Sequence, residues 1–316
     1  MPLTEIFCAS PRYRRSHTDV PVTLNACLEC AHTRENDCHF TYELLSSMFA
    51  TQQDRGARIS TTTLTSKCLR SEFLKRTLPF AEQPEKMWAS FRGTMYHGQL
   101  EKHSAPGSIE EPRYHVGTEH GHLSGSPDLV DIRMGILYDY KVTKEVPKFS
   151  YPWEDHVAQN NVNRWLVDNG WWVEYRGEFF LLDAAREKEA LAFCSERDEF
   201  LNTNVRQNVA KFRPVMWNEL VVVYMDDRGP KPIACTKSID VPKVSGGGTK
   251  KQRVPDIWAD IDVESYISTR YLAAKTALEG NELPEIPAAF EGWQHPLCGF
   301  CPKKTECISL QFTGEL

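Results

Sequence analysis

The chain has 316 residues, a net charge of −6, 41% hydrophobic and 25% charged residues, and ten cysteines. Those proportions belong to a globular protein and exclude disordered and fibrous classes, and no run of about 18 apolar residues predicts a membrane span. The acidic balance excludes a global attraction to nucleic acid while leaving room for a local basic groove. The start, Met-Pro-Leu-Thr-Glu-Ile-Phe, lacks the basic and apolar regions of a signal peptide, which predicts a cytoplasmic protein.

A cytoplasmic chain rarely spends cysteines on disulfides, so their spacing points to metal ligands. Residues 1–50 form a cysteine-rich segment with Cys8, Cys27-Leu28-Glu29-Cys30 and Cys38-His39. The Cys-x2-Cys turn can place two thiolates on one zinc ion, with Cys8 and Cys38 completing a tetrahedron, or His17 or His39 replacing one of them. Within residues 57–77 a serine/threonine run supplies the N-cap of a predicted helix, with Leu69, Phe73 and Leu74 as its apolar stripe and Cys68 in its first turns. Residues 86–103 predict the next helix, on which His97 and Glu101 share a face because they lie four apart.

Gly125-Ser126-Pro127-Asp128-Leu129-Val130-Asp131 reads as a strand ending at an aspartate, then a turn at Arg133 to Gly135. A second strand, Ile136 to Lys141, follows. Alternation puts Asp139 and Lys141 on one face of that strand, where Asp128 can meet them. Two carboxylates beside a lysine suit a hard divalent cation and a group that poises water; a solvated ion pair is the plainer alternative.

Downstream, 154–167 predicts a helix carrying Gln159, Asn163, Arg164 and Trp165. Residues 171–183 predict a strand, 184–211 a long helix, and 221–225 with 233–241 a hairpin. Residues 244–254 predict a basic glycine-rich loop, and 263–278 a last helix. Cys194 and Cys235 read as isolated thiols. Near the end, Cys298-Gly-Phe-Cys301 and Cys307 form a Cys-x2-Cys-x5-Cys triplet that leaves a fourth ligand to be found, with Cys68 a candidate. Spacing alone does not choose between an iron–sulfur cluster and zinc.

In their order along the chain, these motifs resemble the PD-(D/E)XK nuclease superfamily. The branch they resemble is the RecB-like exonucleases with a four-cysteine iron–sulfur cluster, which includes CRISPR-associated and phage-borne members. The family's histidine motif looks like Gly93-Thr94-x-x-His97-x3-Glu101, its Gly-x-x-Asp motif like Gly125 to Asp128, and its (D/E)-x-K motif like Asp139-Tyr140-Lys141. The one-before, three-after cysteine pattern looks like Cys68 with Cys298, Cys301 and Cys307. One departure is that the family's Gln-x3-Tyr reads Gln159-x3-Asn163 here, so the tyrosine's role is lost or passes to Trp165.

The resemblance implies an α/β fold: a restriction-endonuclease-like core over 51–290 with a central mixed sheet flanked by helices. It also implies a C-terminal segment, 291–316, whose [4Fe–4S] cluster packs it back on Cys68. Mn²⁺ or Mg²⁺ would be held by His97, Asp128, Asp139 and the Tyr140 carbonyl. Lys141 would orient or deprotonate water, with Glu101 and Gln159 in support. The expected activity is exonucleolytic cleavage of DNA ends or single strands in recombination, repair or spacer acquisition, with recombination, helicase or integrase proteins as partners. The rival expectation is a non-catalytic DNA-binding or assembly protein with structural zinc and iron–sulfur sites. A zinc hydrolase of small substrates lacks a His-Glu-x-x-His motif.

Overall fold

The computed structural model describes residues 5–8, 21–33, 40–50, 59–78, 81–82, 84–100, 102–103, 105–143, 147, 152–190, 206–207, 211–214, 216–226, 229–236, 257–280, 283–284, 298, 301 and 307–308. In chain order the elements begin with strand β1 (Glu5–Phe7), β2 (Pro21–Thr23), helix α1 (Leu24–Thr33) and α2 (Tyr42–Ala50). Then come β3 (Ile59–Ser60), α3 (Thr61–Thr65), α4 (Leu69–Thr77), β4 (Ala81–Glu82) and α5 (Pro84–Leu100). The strands β5 (Ser108–Glu110), β6 (Arg113–Thr118), β7 (Gly121–Gly125), β8 (Leu129–Asp131) and β9 (Ile136–Val142) follow. After α6 (Glu154–Asn169) come β10 (Trp172–Tyr175), β11 (Glu178–Leu181), β12 (Arg206–Gln207), β13 (Glu219–Asp226), β14 (Gly229–Thr236) and α7 (Asp260–Gly280).

The chain divides into two compact units that interleave in sequence, whereas the sequence reading drew three successive segments. The first comprises Met1–Arg58, Cys68–Tyr96 and Ala274–Leu316, the second Ile59–Lys67 and His97–Ala273. In the first unit a three-stranded mixed sheet has the order β2-β1-β4, with β1 antiparallel to β2 and parallel to β4. Hydroxyl caps start its helices: Thr23 Oγ1 accepts from the Ala26 N–H and Thr41 Oγ1 from the Leu44 N–H. Ile6, Leu45, Met48 and Met87 form its buried apolar cluster, against which Cys27 packs.

The second unit holds two mixed sheets flanked by helices. One has the order β12-β11-β10-β6-β7-β3, the other β14-β13-β9-β8-β5. Helix α6 packs on α3 and on β6, β7, β9 and β13, so it touches both sheets. Because it is covered on nearly every side, Val157, Val162, Leu166 and even Asn160, Asn161 and Asn163 are buried. Gly125 allows this approach. A Cβ there would fall 2.1 Å from Thr61 Oγ1 and 2.6 Å from Asn163 Oδ1.

Several expected elements are corrected. The helix expected after the serine/threonine run is present as α4, with Cys68 as its N-cap, but the run itself does more than cap: it forms β3 and α3, because Ser60 caps a separate short helix that breaks at Ser66 to Cys68. The strand over 171–183 is a hairpin, turned at Arg176 and Gly177, whose φ values of 51° and 75° reverse the chain. The helix expected through 211 does not reach its end, since Arg206–Gln207 pairs in parallel with β11. The hairpin of β13 and β14 is present, with β14 beginning earlier than expected, at Gly229. Residues 244–254 and Cys194 lie outside the described residues.

Candidate active site and cysteine clasp

Strand β9 carries the acidic motif as alternation demands. Asp139 and Lys141 share one face, while Tyr138 and Tyr140 stack on the other with ring centroids 6.3 Å apart. Antiparallel pairing of β8 with β9 then brings Asp128 alongside, not at a strand end but immediately before β8, and its Oδ2 accepts the Tyr140 N–H. Asp139 is 1% exposed. Lys141 Nζ donates to Asp139 Oδ1 at 2.8 Å and to Gln159 Oε1 of α6 at 3.0 Å.

His97, in the last turn of α5, completes the group. Its Nδ1 lies 3.2 Å from Asp128 Oδ1 and 3.4 Å from Glu111 Oε1. Glu111 sits between β5 and β6 at φ 46°, a left-handed conformation uncommon for glutamate. Its N–H bonds the Asp128 carbonyl, which ties its backbone to the motif. No pattern around Glu110-Glu111-Pro112 marks it in the sequence; only strand pairing reveals it. Glu101, the expected supporting carboxylate, lies outside the described residues. Asn163 and Trp165 are not at this group: Asn163 is buried beneath Gly125, and Trp165 Nε1 donates to Glu264 at 3.3 Å.

The electrostatics follow from the burial. Desolvation raises the Asp139 pKa despite the opposing charge of Lys141. Burial pulls the Lys141 ammonium down, but the carboxylates of Asp139 and Asp128 outweigh it and leave the net shift upward. Hydrogen bonds that His97 donates to Asp128 and then to Glu111 push its pKa up to about 10.

Among the described residues, no three or more His, Cys, Asp or Glu side chains are arranged to hold a metal ion. The chemistry of the donors nevertheless suits a divalent cation. Asp139 Oδ2 is buried with no hydrogen-bond partner, an acceptor that costs free energy unless something positive meets it.

In the first unit, the C-terminal cysteines meet α4. Cys68 is its N-cap, with Sγ accepting the Ser71 N–H at 3.4 Å, and Ser71 Oγ lies 3.3 Å from Cys301 Sγ. The buried Arg70 guanidinium donates to the carbonyls of Pro284 and Cys307, both at 3.4 Å. Cys307 also packs with Phe73, Leu74 and Ala277. Burial pushes the Cys68 thiol up, the Ser71 N–H opposes this, and the thiols of Cys301, Cys307 and Cys298 add to the rise. The three C-terminal thiols thus lie near enough to act on Cys68, although they are not drawn around one point. Of the N-terminal set, Cys8, Cys27 and Cys30 are described, whereas Cys38 is not. Cys27 serves the apolar cluster of Ile6 and Met48.

No protein-family model matches the chain, and no curated protein matches it in sequence. Among solved structures the chain is similar to the crystal structure of SSO0001. The identity is 10%, over 82% of this chain and 93% of that one, with a TM-score of 0.42. So distant a likeness carries no functional argument. No helix among the described residues is long and apolar enough to cross a membrane.

Proposed function

We propose that this protein is a metal-dependent deoxyribonuclease of the PD-(D/E)XK type, in the RecB-like exonuclease branch, acting on DNA ends or single strands. The observation that carries the reading is the seat of Lys141. It reaches Asp139 at 2.8 Å and Gln159 at 3.0 Å, on the strand face where Asp139 keeps one buried oxygen unpartnered. An ordinary surface ion pair has neither the burial nor the orphan oxygen.

Asp128, Asp139, His97 and the Tyr140 carbonyl would hold Mn²⁺ or Mg²⁺. When bound, the ion supplies an acidified water and neutralises charge on the phosphate. Lys141 keeps its proton near neutral pH, because neighbouring carboxylates hold its pKa up. Its role is therefore to orient water and stabilise phosphoryl charge, and not to remove a proton. Gln159 fixes the ammonium by accepting one of its hydrogens. The polar Glu111 and Asp128 side chains orient His97. By the same reading, Cys68, Cys298, Cys301 and Cys307 hold a [4Fe–4S] cluster, and zinc at the N-terminal cysteines remains part of the proposal.

The deciding experiment is digestion of end-labelled linear DNA with Mn²⁺, Mg²⁺ or EDTA, beside metal analysis of anaerobically purified protein. Metal-dependent loss of label with iron near four per chain (the content of the proposed cluster) is the expected result. Zinc alone with intact DNA would favour the DNA-binding and assembly reading.

The metal-free protein should also respond to pH. The folded pKa of His97, about 10, stands above its ordinary 6.5, so the folded state binds the extra proton. This contribution to stability is fully present below pH 6.5 and is lost as pH rises through about 10. Urea denaturation in EDTA should give a midpoint that falls over that window, and His97→Gln should flatten the fall. An unchanged slope in the variant would remove His97 as its source.

A further inference from the structure

Strands β9 and β13 pair in parallel with Lys141 opposite Tyr224 and Asp139 opposite Val222, so Tyr224 stands beside Lys141 on the same sheet face. Tyr224 is fully buried, and its hydroxyl meets the start of α6 twice. It accepts the Trp153 N–H at 3.1 Å and lies 2.9 Å from His156 Nδ1. Trp153 is the N-cap residue of α6 and makes no side-chain cap bond, so the tyrosine hydroxyl anchors this first turn, alongside the Lys67–Asp155 ion pair at 3.1 Å. The Trp153 ring closes edge-on over Tyr224 at 5.3 Å.

Three residues beyond His156 on the same helix face comes Gln159, whose Oε1 accepts from Lys141 Nζ. The contacts thus form a closed loop: Lys141 to Gln159, along one helical turn to His156, across to Tyr224, and back to Lys141 through the strand pair. Burial and then the Lys141 charge pull His156 down to about 4, which keeps its ring neutral at neutral pH.

We propose that Tyr224 and His156 are positioning residues that set the helix start so that Gln159 holds the Lys141 ammonium in place. The inference rests on the nuclease reading for its kinetic consequence, but not for its structural one.

Two measurements test it separately. Hydrogen exchange of the Lys141 ammonium, followed by ¹⁵N NMR on intact protein, should be slow in wild type. It should speed up in Tyr224→Phe, in His156→Ala and in Gln159→Ala, and slow again in His156→Asn, whose amide replaces Nδ1. Unchanged exchange in Tyr224→Phe and His156→Ala would overturn the proposal.

On linear DNA with Mn²⁺, Tyr224→Phe should lower kcat by about 10²-fold, the scale of a catalytic group displaced by an ångström, with KM little changed. Combined with Gln159→Ala it should cost no more than Gln159→Ala alone, since both act on one contact. Fully additive losses would place Tyr224 outside the Gln159 contact and overturn the coupling. Exchange that responds as expected in a wild type that cleaves nothing would sustain the positioning proposal and remove the nuclease reading instead.

Discussion

Replacing Lys141 by methionine is expected to abolish metal-dependent DNA cleavage, by about 10³-fold or more, as loss of a pre-aimed charge at a reacting group does. The Lys141 side chain is 23% exposed and paired with an Asp139 side chain 2% exposed, so the substitution also leaves a buried carboxylate without its cation. Breaking such a buried pair typically costs about 3–5 kcal/mol. Asp139 can lessen that cost by taking up a proton. Its pKa is raised by burial already, and Lys141 is the strongest influence holding it down. An acid whose folded pKa exceeds its unfolded one stabilises the fold below the ordinary carboxylate range and loses that contribution as pH rises. Lys141→Met should therefore be nearer wild-type stability at pH 5 than at pH 8.

The double variant Asp139→Asn with Lys141→Met removes both charges. It should recover part of the stability while remaining inactive. A gel assay of end-labelled DNA and urea midpoints at the two pH values check these statements together. Cleavage retained in Lys141→Met would end the catalytic assignment, whatever the stability data showed.

Replacing Cys301 by serine should give the opposite profile, a loss of chromophore and stability from a residue remote in chemistry from phosphodiester cleavage. Its thiol lies 3.3 Å from Ser71 Oγ, against the helix that Cys68 begins, and Arg70 bonds the Cys307 carbonyl of the same segment. Losing one of the four proposed ligands should drop iron content well below that of wild type. It should also bleach the broad absorbance near about 400 nm that thiolate-bound iron clusters give. Each 1 kcal/mol lost should lower Tm by roughly 2–4 °C in a domain of about 150–250 residues, so a fall of several degrees is expected. Arg70→Leu should lower Tm too, but with iron content largely kept, because it loosens the segment without removing a ligand. Normal absorbance and Tm in Cys301→Ser would argue that these cysteines are ordinary buried thiols.

The hairpin of β8 and β9 was legible because its signals are local. Period-2 alternation put Asp139 and Lys141 on one face, and Gly135, at φ 65°, supplied the turn. Helix α6 was equally plain, beginning at Glu154 as expected and continuing two residues beyond the expected end. The Arg176-Gly177 turn was also written locally, as Arg176-Gly177-Glu178, but the apolar residues on either side of it read as one strand. The break before α4 was harder. Its Ser/Thr run reads as a single cap until Cys68 is seen capping a second helix.

The order of residues alone settled which of them share a face of each strand or helix, because backbone periodicity is fixed by local geometry. It also determined the supply of ligand chemistry: carboxylates, histidine, lysine and clustered thiols. Long-range packing chose which faces meet. It set Tyr224 beside Lys141 through a parallel pairing across some eighty residues of chain, aimed Glu111 at His97, gathered Cys68 with the C-terminal cysteines, and gave Arg206–Gln207 to a sheet instead of a helix. Such choices depend on burial and strand register between distant segments, and these are energies of the whole packed chain that no local window contains.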